Sequence, residues 1–238
     1  MEREGLDAFA DAYVSGLYQK DNELTLAWCA DRIIALSQKG SLLELGLGHG
    51  ITAERLSKHF TRYVVVEGSE QVISQFRASH GDVKVEIVQD YFENFETDER
   101  FDAISMGFVL EHVDEPARLL HGYQRFLRRG GAIFIAVPNA ESLHRRLGKE
   151  AGMLGELTTL SAADHAQGHQ RYYTLERIEA EVRDAGLRVM EREGVYLKPF
   201  TSSQIEALRL PPQVYRALMV VGSGYPELCN SVFLKVMI

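Results

Sequence analysis

The amino-acid sequence predicts an α/β fold built on one mostly parallel sheet. Three observations carry this. Apolar runs at 42–45, 63–66, 83–88, 101–106 and 132–137 alternate with stretches of helical spacing at 52–60, 71–79 and 116–128. The runs are apolar throughout rather than at every second residue, the pattern of strands covered on both faces. A glycine-rich loop follows the first run directly and leads into helical spacing, as in a strand–turn–helix unit.

The elements follow in order. Leu6, Phe9, Tyr13, Leu17 and Tyr18, then Leu24, Trp28, Ile33, Ile34 and Leu36, fall at helical spacing, so residues 1–38 read as a helical cover that Gly40 ends. Residues 40–138 hold the first five strands, and Pro138 closes the fifth. The stretch 139–171 is rich in His, Arg, Gly and small residues with no clear strand, and reads as an insertion. Thr174 is placed to cap a helix running to Gly186, with Arg177 where a capping box wants Glu or Gln. Runs at 189–197 and 231–238 read as the last strands. Between them lies a segment containing Pro199, Pro211, Pro212 and Pro226. With no repeat and no linker, 1–238 is expected to be one domain, of which 172–238 forms a C-terminal helix and strands.

Composition sets outer bounds. At 238 residues, 45% hydrophobic and 25% charged, the chain has enough apolar surface for a full core, which excludes disorder. A net charge of −8 is a poor match for nucleic acid or an anionic membrane surface. Two cysteines, Cys29 and Cys229, make neither a disulfide framework nor a four-ligand zinc site. The first residues are acidic where a signal peptide is basic, and no run approaches the roughly 18 apolar residues of a membrane span. A cytoplasmic protein, monomer or homodimer, is the expectation.

The sharpest motif is Glu44-Leu45-Gly46-Leu47-Gly48-His49-Gly50. Glycines at such a turn let the backbone approach a ligand where a Cβ would collide. The dinucleotide fingerprint G-x-G-x-x-G needs glycine at 51, where this chain has Ile51. Glu67, at the end of the second run and about 20 residues after Gly46, stands where a carboxylate holds ribose hydroxyls. Asp90, ending the third run, can accept from an adenine amino group, and Tyr91 or Phe92 can lie against the ring.

These residues, with Gly68 and Ser69, resemble the first three motifs of the class I S-adenosylmethionine-dependent methyltransferases. The stretches 101–113, 127–131 and 136–139 resemble the fourth- and fifth-strand motifs. The similarity is greatest to small-molecule members related to the ubiquinone-biosynthesis O-methyltransferase, and it spans roughly 40–190. It implies a Rossmann-like seven-stranded sheet of order 3-2-1-4-5-7-6 with the last strand antiparallel, and S-adenosyl-L-methionine as cofactor. It also implies cofactor contacts from Glu44, Gly46, Gly48 and Gly50 at the methionine end, with Met106 and Gly107 facing the amino-acid portion. Glu67, Gly68 and Ser69 would lie at the ribose, and Asp90 and Tyr91 at the adenine. Glu44 stands where Asp is commoner. Tyr18, on the N-terminal cover, would cap the cofactor or the substrate.

The implied reaction is methyl transfer to an oxygen or nitrogen of a small polar metabolite. An acceptor of that kind must lose a proton, and histidine is suited to taking it near neutral pH. Of eight histidines, His169 is the first candidate, in the insertion near the carboxyl ends of the strands. Family members often carry His-x-Arg, aromatics and Thr there, which resembles His169, Arg171, Tyr172 and Thr174. His112 follows the fourth strand and ranks second, although Glu111-His112 also suits a helix start with Glu111 at its N-terminus. His165 and His169 have metal-ligand spacing on a helix, but Gly168 weakens that helix and no third ligand is near in sequence, so no metal is expected. His59, His80, His121 and His144 read as solvated. Arg145, Arg146 and Lys149 offer a site for an anionic acceptor, or simply a solvated helix face. A nicotinamide-dependent oxidoreductase and a catalytically silent binding subunit are the alternative readings.

Overall fold

The computed structural model describes Leu6 and residues 19–238; Tyr13 and Tyr18 lie outside the described residues. Its seven strands form one sheet of order β3-β2-β1-β4-β5-β7-β6. They are β1 (Ser41–Leu45), β2 (Arg62–Glu67), β3 (Glu86–Gln89), β4 (Phe101–Gly107), β5 (Leu127–Pro138), β6 (Arg188–Val195) and β7 (Ser231–Met237). The first five run parallel, and β7 is antiparallel to both β5 and β6. The implied order and the antiparallel last strand are both present.

Two apolar clusters explain the uninterrupted runs, because successive side chains of a strand leave opposite faces of the sheet. Leu43, Leu45, Val64, Val66, Ile104 and Ile133 pack on one face against α4 (Pro116–Tyr123) and α7 (Leu175–Asp184). Leu42, Val65, Ala103 and Phe134 pack on the other, against α1 (Gln19–Leu36), α2 (Ile51–Leu56), α3 (Glu70–Ser79) and α9 (Pro212–Gly222). Each fully buried Leu or Val contributes roughly 1.5–3 kcal/mol.

Several boundaries differ from the sequence expectation, each for a physical reason. The third apolar run becomes strand only from Glu86, where β2 offers pairing partners, while Val83 and Val85 pack on the core without pairing. The helical stretch at 116–128 ends at Tyr123 and a 3₁₀ turn, because Leu127 already pairs with Phe101. The Pro-containing segment holds two helices, α8 (Ser202–Ala207) and α9. Pro212 sits in the first turn of α9, where its missing N–H has no partner to lose, so it starts a helix instead of breaking one. The insertion likewise contains α5 (Leu143–Glu150) and α6 (Ala162–Ala166).

Within the N-terminal cover, helix α1 is tied to the far end of the chain. The guanidinium of Arg32 grips Glu193 of β6 through two bonds, at 2.7 and 2.5 Å. Lys235 of β7 donates to the carbonyl of Leu36 at the helix C-terminus. Lys198, 4% exposed, donates to Asp21 at 2.7 Å, and Ser202 donates to the same carboxylate. Removing one partner of a buried ion pair of this kind costs about 3–5 kcal/mol. Asn139, fully buried, donates to the carbonyls of Pro226, Glu227 and Cys229, which fastens the start of the insertion to the loop before β7.

Candidate active site

The chain passes from β1 outward through β2 and β3, then crosses back to β4 on the other side of β1. Open α/β sheets bind ligands outside the carboxyl ends of the strands at such a switch point. A cavity of about 1660 Å³ lies there, lined by Gly46, Gly48, Glu67, Gly68, Ser69, Asp90 and Tyr91 at the ends of β1, β2 and β3, and by Glu111 and His112 after β4 with His169 of the insertion.

The glycine loop shapes the first set. Gly46, Gly48 and Gly50 all have positive φ (83°, 47° and 74°), a conformation that L side chains rarely adopt. Among the described residues, a Cβ on Gly46 would meet only Phe92 Cζ, at 3.9 Å; the backbone there faces the cavity. Gly50 does not line it. Its Cβ would strike Phe76 and His80, so this glycine serves the turn into α2, a correction to its expected cofactor contact.

Glu67 accepts from the N–H of Leu47 at 3.0 Å and from the N–H of Ser69 at 2.8 Å, one on each oxygen. The carboxylate is thereby held between the glycine loop and the start of α3. Ser69 accepts from the N–H of Val72 and so caps α3. Asp90 accepts from the N–H of Tyr91, and the Tyr91 hydroxyl is buried without a hydrogen-bond partner among the described residues. Glu44 lines the cavity from beneath, with Tyr63 donating to it, and burial pushes its carboxyl up to about 7 against the lowering effect of Tyr63, Thr52 and Ser105. Met106 corrects the expectation. Strand alternation turns it into the core at 0% exposed, while Ser105 and Gly107 on either side line the cavity.

The second set is built by two segments far apart in sequence. After β4 the chain turns through Leu110, Glu111 and His112, ahead of α4; Glu111 does not start that helix, whose first residue is Pro116. The end of the insertion grips this turn. Gln170 N–H donates to the Glu111 carbonyl, and the Gln170 side chain donates to the His112 carbonyl. Arg171 donates to the carbonyls of Leu110 and Val113, and the Tyr173 hydroxyl donates to that of Leu110. Arg171 does not line the cavity; its guanidinium is committed to these carbonyls, so it positions the turn and is not a reacting group.

The grip brings His112 and His169 together, with ring centroids 4.8 Å apart and edge to face. His169 Nδ1 lies 3.2 Å from Asp164 Oδ1, a close polar contact off the line of a hydrogen bond. Ser161 and Tyr172 donate to Asp164 and hold it in place. Burial alone would raise Asp164, but its contacts with His169 and Ser161 keep it well below the usual carboxylate range. Burial and the neighbouring His169 lower His112 to about 4. Burial raises Glu111 to about 7, partly offset by His169 and Arg171. Glu111 was missed as a site residue by sequence reasoning, although an acid between the apolar Leu110 and Val113 was the available signal.

As the weakening by Gly168 implied, the His165–His169 helix face does not form, since α6 ends at Ala166 and Gly168 takes a φ of 75°. Two other expectations change. His144 is not solvated. It lines the cavity, and burial together with Lys198 and Arg145 lowers it to about 3. The basic cluster is engaged elsewhere: Arg145 donates to the carbonyls of Leu157 and Thr159, Arg146 to that of Glu141, and Lys149 pairs with Glu156.

Comparison with known proteins agrees with this geometry. A family model described as a methyltransferase domain matches residues 18–192. The cypemycin N-terminal methyltransferase of a Streptomyces species is 28% identical over 198 residues, covering 71% of this chain and 81% of that protein. The ubiquinone biosynthesis O-methyltransferase of Pseudomonas putida is 26% identical over 184 residues, covering 76% and 77%. Among solved structures, a methyltransferase of Thermotoga maritima described as a possible histamine N-methyltransferase superposes with a TM-score of 0.66 at 22% identity, covering 93% of this chain and 91% of that one. An N-methyltransferase of Bradyrhizobium japonicum bound to S-adenosyl-L-homocysteine gives 0.56 at 13% identity, covering 92% and 86%. The glycine cradle at Gly46 and the carboxylate of Glu67 at the switch point fit a ribose-bearing cofactor, and with the family match they exclude the oxidoreductase alternative. The chain belongs to the class I S-adenosylmethionine-dependent methyltransferases, with S-adenosyl-L-methionine as its cofactor.

Proposed function

We propose that the protein transfers a methyl group from S-adenosylmethionine to an oxygen or nitrogen of a small polar metabolite, releasing S-adenosylhomocysteine. The observation that carries this is the cluster of Glu111, His112 and His169 lining the same cavity as the glycine loop. The cofactor supplies a methyl already activated as a sulfonium. The chain's own residues must align the acceptor, exclude water and accommodate the proton it loses. A relative described as an O-methyltransferase and structural neighbours described as N-methyltransferases support both acceptor types without choosing between them. With Arg145, Arg146 and Lys149 engaged elsewhere, support for an anionic acceptor falls away. The net charge of −8 favours a small molecule over nucleic acid.

In this reading Glu67 holds the ribose hydroxyls, Asp90 and Tyr91 the adenine, and Gly46 and Gly48 let the backbone approach. Glu44 faces the methionine ammonium. That last assignment has a pH signature. A carboxyl raised to about 7 is half ionised there, and a cationic partner favours the ionised form. Affinity for S-adenosylhomocysteine should therefore rise roughly tenfold between pH 6 and pH 8 in calorimetry. Glu44→Gln should flatten that step. In the unliganded protein the sign is opposite, because a raised carboxyl favours folding below the ordinary value and loses that contribution as pH rises through about 7.

The function itself is tested by incubating the protein with isotopically labelled S-adenosylmethionine and a panel of small hydroxylated and amine metabolites, read by mass spectrometry. A methylated product is the expected result. Tight cofactor binding with no product across the panel, and stable co-purification with another protein, would favour the silent-subunit reading instead.

A further inference from the structure

We propose that Glu111, His112 and His169 form a binding site for one divalent cation of the zinc, manganese or iron(II) type. The sequence alone argued against a metal, because His165 and His169 had no third ligand nearby. The fold supplies a different set. One ligand atom from each of Glu111, His112 and His169 lies within 4.8 Å of the other two, the separation that a single ion bridges after small side-chain rotations. His165 plays no part in it.

The second observation is the state of Glu111. Its side chain is 0% exposed, and neither carboxylate oxygen has a hydrogen-bond partner among the described residues. A buried acid with no donor on either oxygen is costly, and native structures rarely leave one so. Arg171, the arginine whose charge acts on Glu111, is spent on the carbonyls of Leu110 and Val113 and on Gln170. A divalent ion would satisfy the carboxylate directly. Two neutral imidazoles and one carboxylate are a donor set for borderline metals, whereas calcium or magnesium would call for more oxygens.

The surroundings are those of a metal site. His169 turns Nδ1 toward Asp164, at 3.2 Å, and a small ring rotation that aligns this contact would give the carboxylate–histidine arrangement that orients metal-bound imidazoles, with Nε2 as the ligand nitrogen. Asp164 is fixed by Ser161 and Tyr172, and the turn carrying Glu111 and His112 is fixed by Gln170 and Arg171. All three ligands line the cavity, so the remaining coordination positions open onto the space proposed for the acceptor. The inference rests on that reading of the cavity in one respect only: an acceptor hydroxyl bound to the ion would release its proton to solvent, with His169 serving as a ligand and not as the base.

The test uses tag-free, chelator-stripped full-length protein, with the metal alone as the probe. Titration with Co²⁺ should give visible ligand-field absorption saturating at one ion per chain, and calorimetry with Zn²⁺ should give the same stoichiometry. Glu111→Gln and His169→Gln should each weaken Zn²⁺ binding at least about tenfold while S-adenosylhomocysteine affinity stays unchanged. Asp164→Asn keeps all three ligands and should weaken Zn²⁺ binding by about 10–100-fold, which keeps the test informative if a ligand variant misfolds. Absence of stoichiometric uptake, or uptake equal in the wild type and these variants, overturns the proposal. Because no acceptor is present, stoichiometric metal binding alongside failure of the metabolite panel would sink the proposed reaction and leave the cation site standing.

Discussion

Glu67→Ala is expected to weaken S-adenosylhomocysteine binding at least about a hundredfold in calorimetry, with the protein still folded. Two charge-assisted hydrogen bonds to the ribose hydroxyls are worth roughly 1.5–3 kcal/mol each, and losing about 3 kcal/mol already corresponds to that factor. The structure adds a second route to the same loss. Glu67 accepts one N–H from Leu47 and one from Ser69, so the truncation also releases the glycine loop from the start of α3. Glu67→Gln separates the two routes poorly but sharpens the chemistry. An amide has one accepting oxygen and one donating nitrogen, and the nitrogen would face a backbone N–H that needs an acceptor. The glutamine variant should therefore lose most of the affinity as well. Unchanged affinity in both variants would remove Glu67 from the cofactor site.

The cofactor half of the molecule was legible because its determinants are local. Strands β1, β2 and β4 and the inner part of β5 are apolar runs covered on both faces, and Gly46, Glu67 and Asp90 lie at or just beyond the ends of successive strands, so motif and position coincide in sequence. Met106 shows where that reading fails. A motif at the tip of a strand does not say which of two neighbouring residues faces the ligand, and alternation gave the cavity to Ser105 and Gly107. The acceptor half was less legible because it is made by contacts across long separations. Glu111 beside a helix-starting Pro116 reads as an acid favoured by a helix dipole until Gln170 and Arg171, from the insertion, are seen holding its turn against His169. The same holds for Arg145. Its charge reads as a substrate site, and only the folded insertion shows it bonded to the carbonyls of Leu157 and Thr159 and stacked on Tyr172.

His169→Ala is expected to lower turnover by about 10²–10⁴-fold once a substrate is in hand, while affinity for S-adenosylhomocysteine remains that of the wild type. The pairing of these two readouts is what makes the prediction specific. His169 comes from the insertion and makes no contact with the loops that carry Gly46 and Glu67 among the described hydrogen bonds and ring contacts, so its loss should not disturb the cofactor. It is also the histidine that Asp164 orients, whereas His112, lowered to about 4 by burial and by His169, is a weak proton acceptor at neutral pH. Removing the ring therefore takes away the group best placed to handle the acceptor's proton, whether it does so directly or by holding a cation. Asp164→Asn provides the graded case. The ring stays, but the carboxylate beside its Nδ1 becomes an amide and holds its orientation less well, so the loss should be smaller than for His169→Ala. The Asp164→Asn variant should fall between the wild type and His169→Ala in turnover and match both in cofactor affinity. Full activity in His169→Ala would move the proton chemistry to Glu111 or His112; full activity in Asp164→Asn would show that the Asp164 contact serves only to hold the insertion.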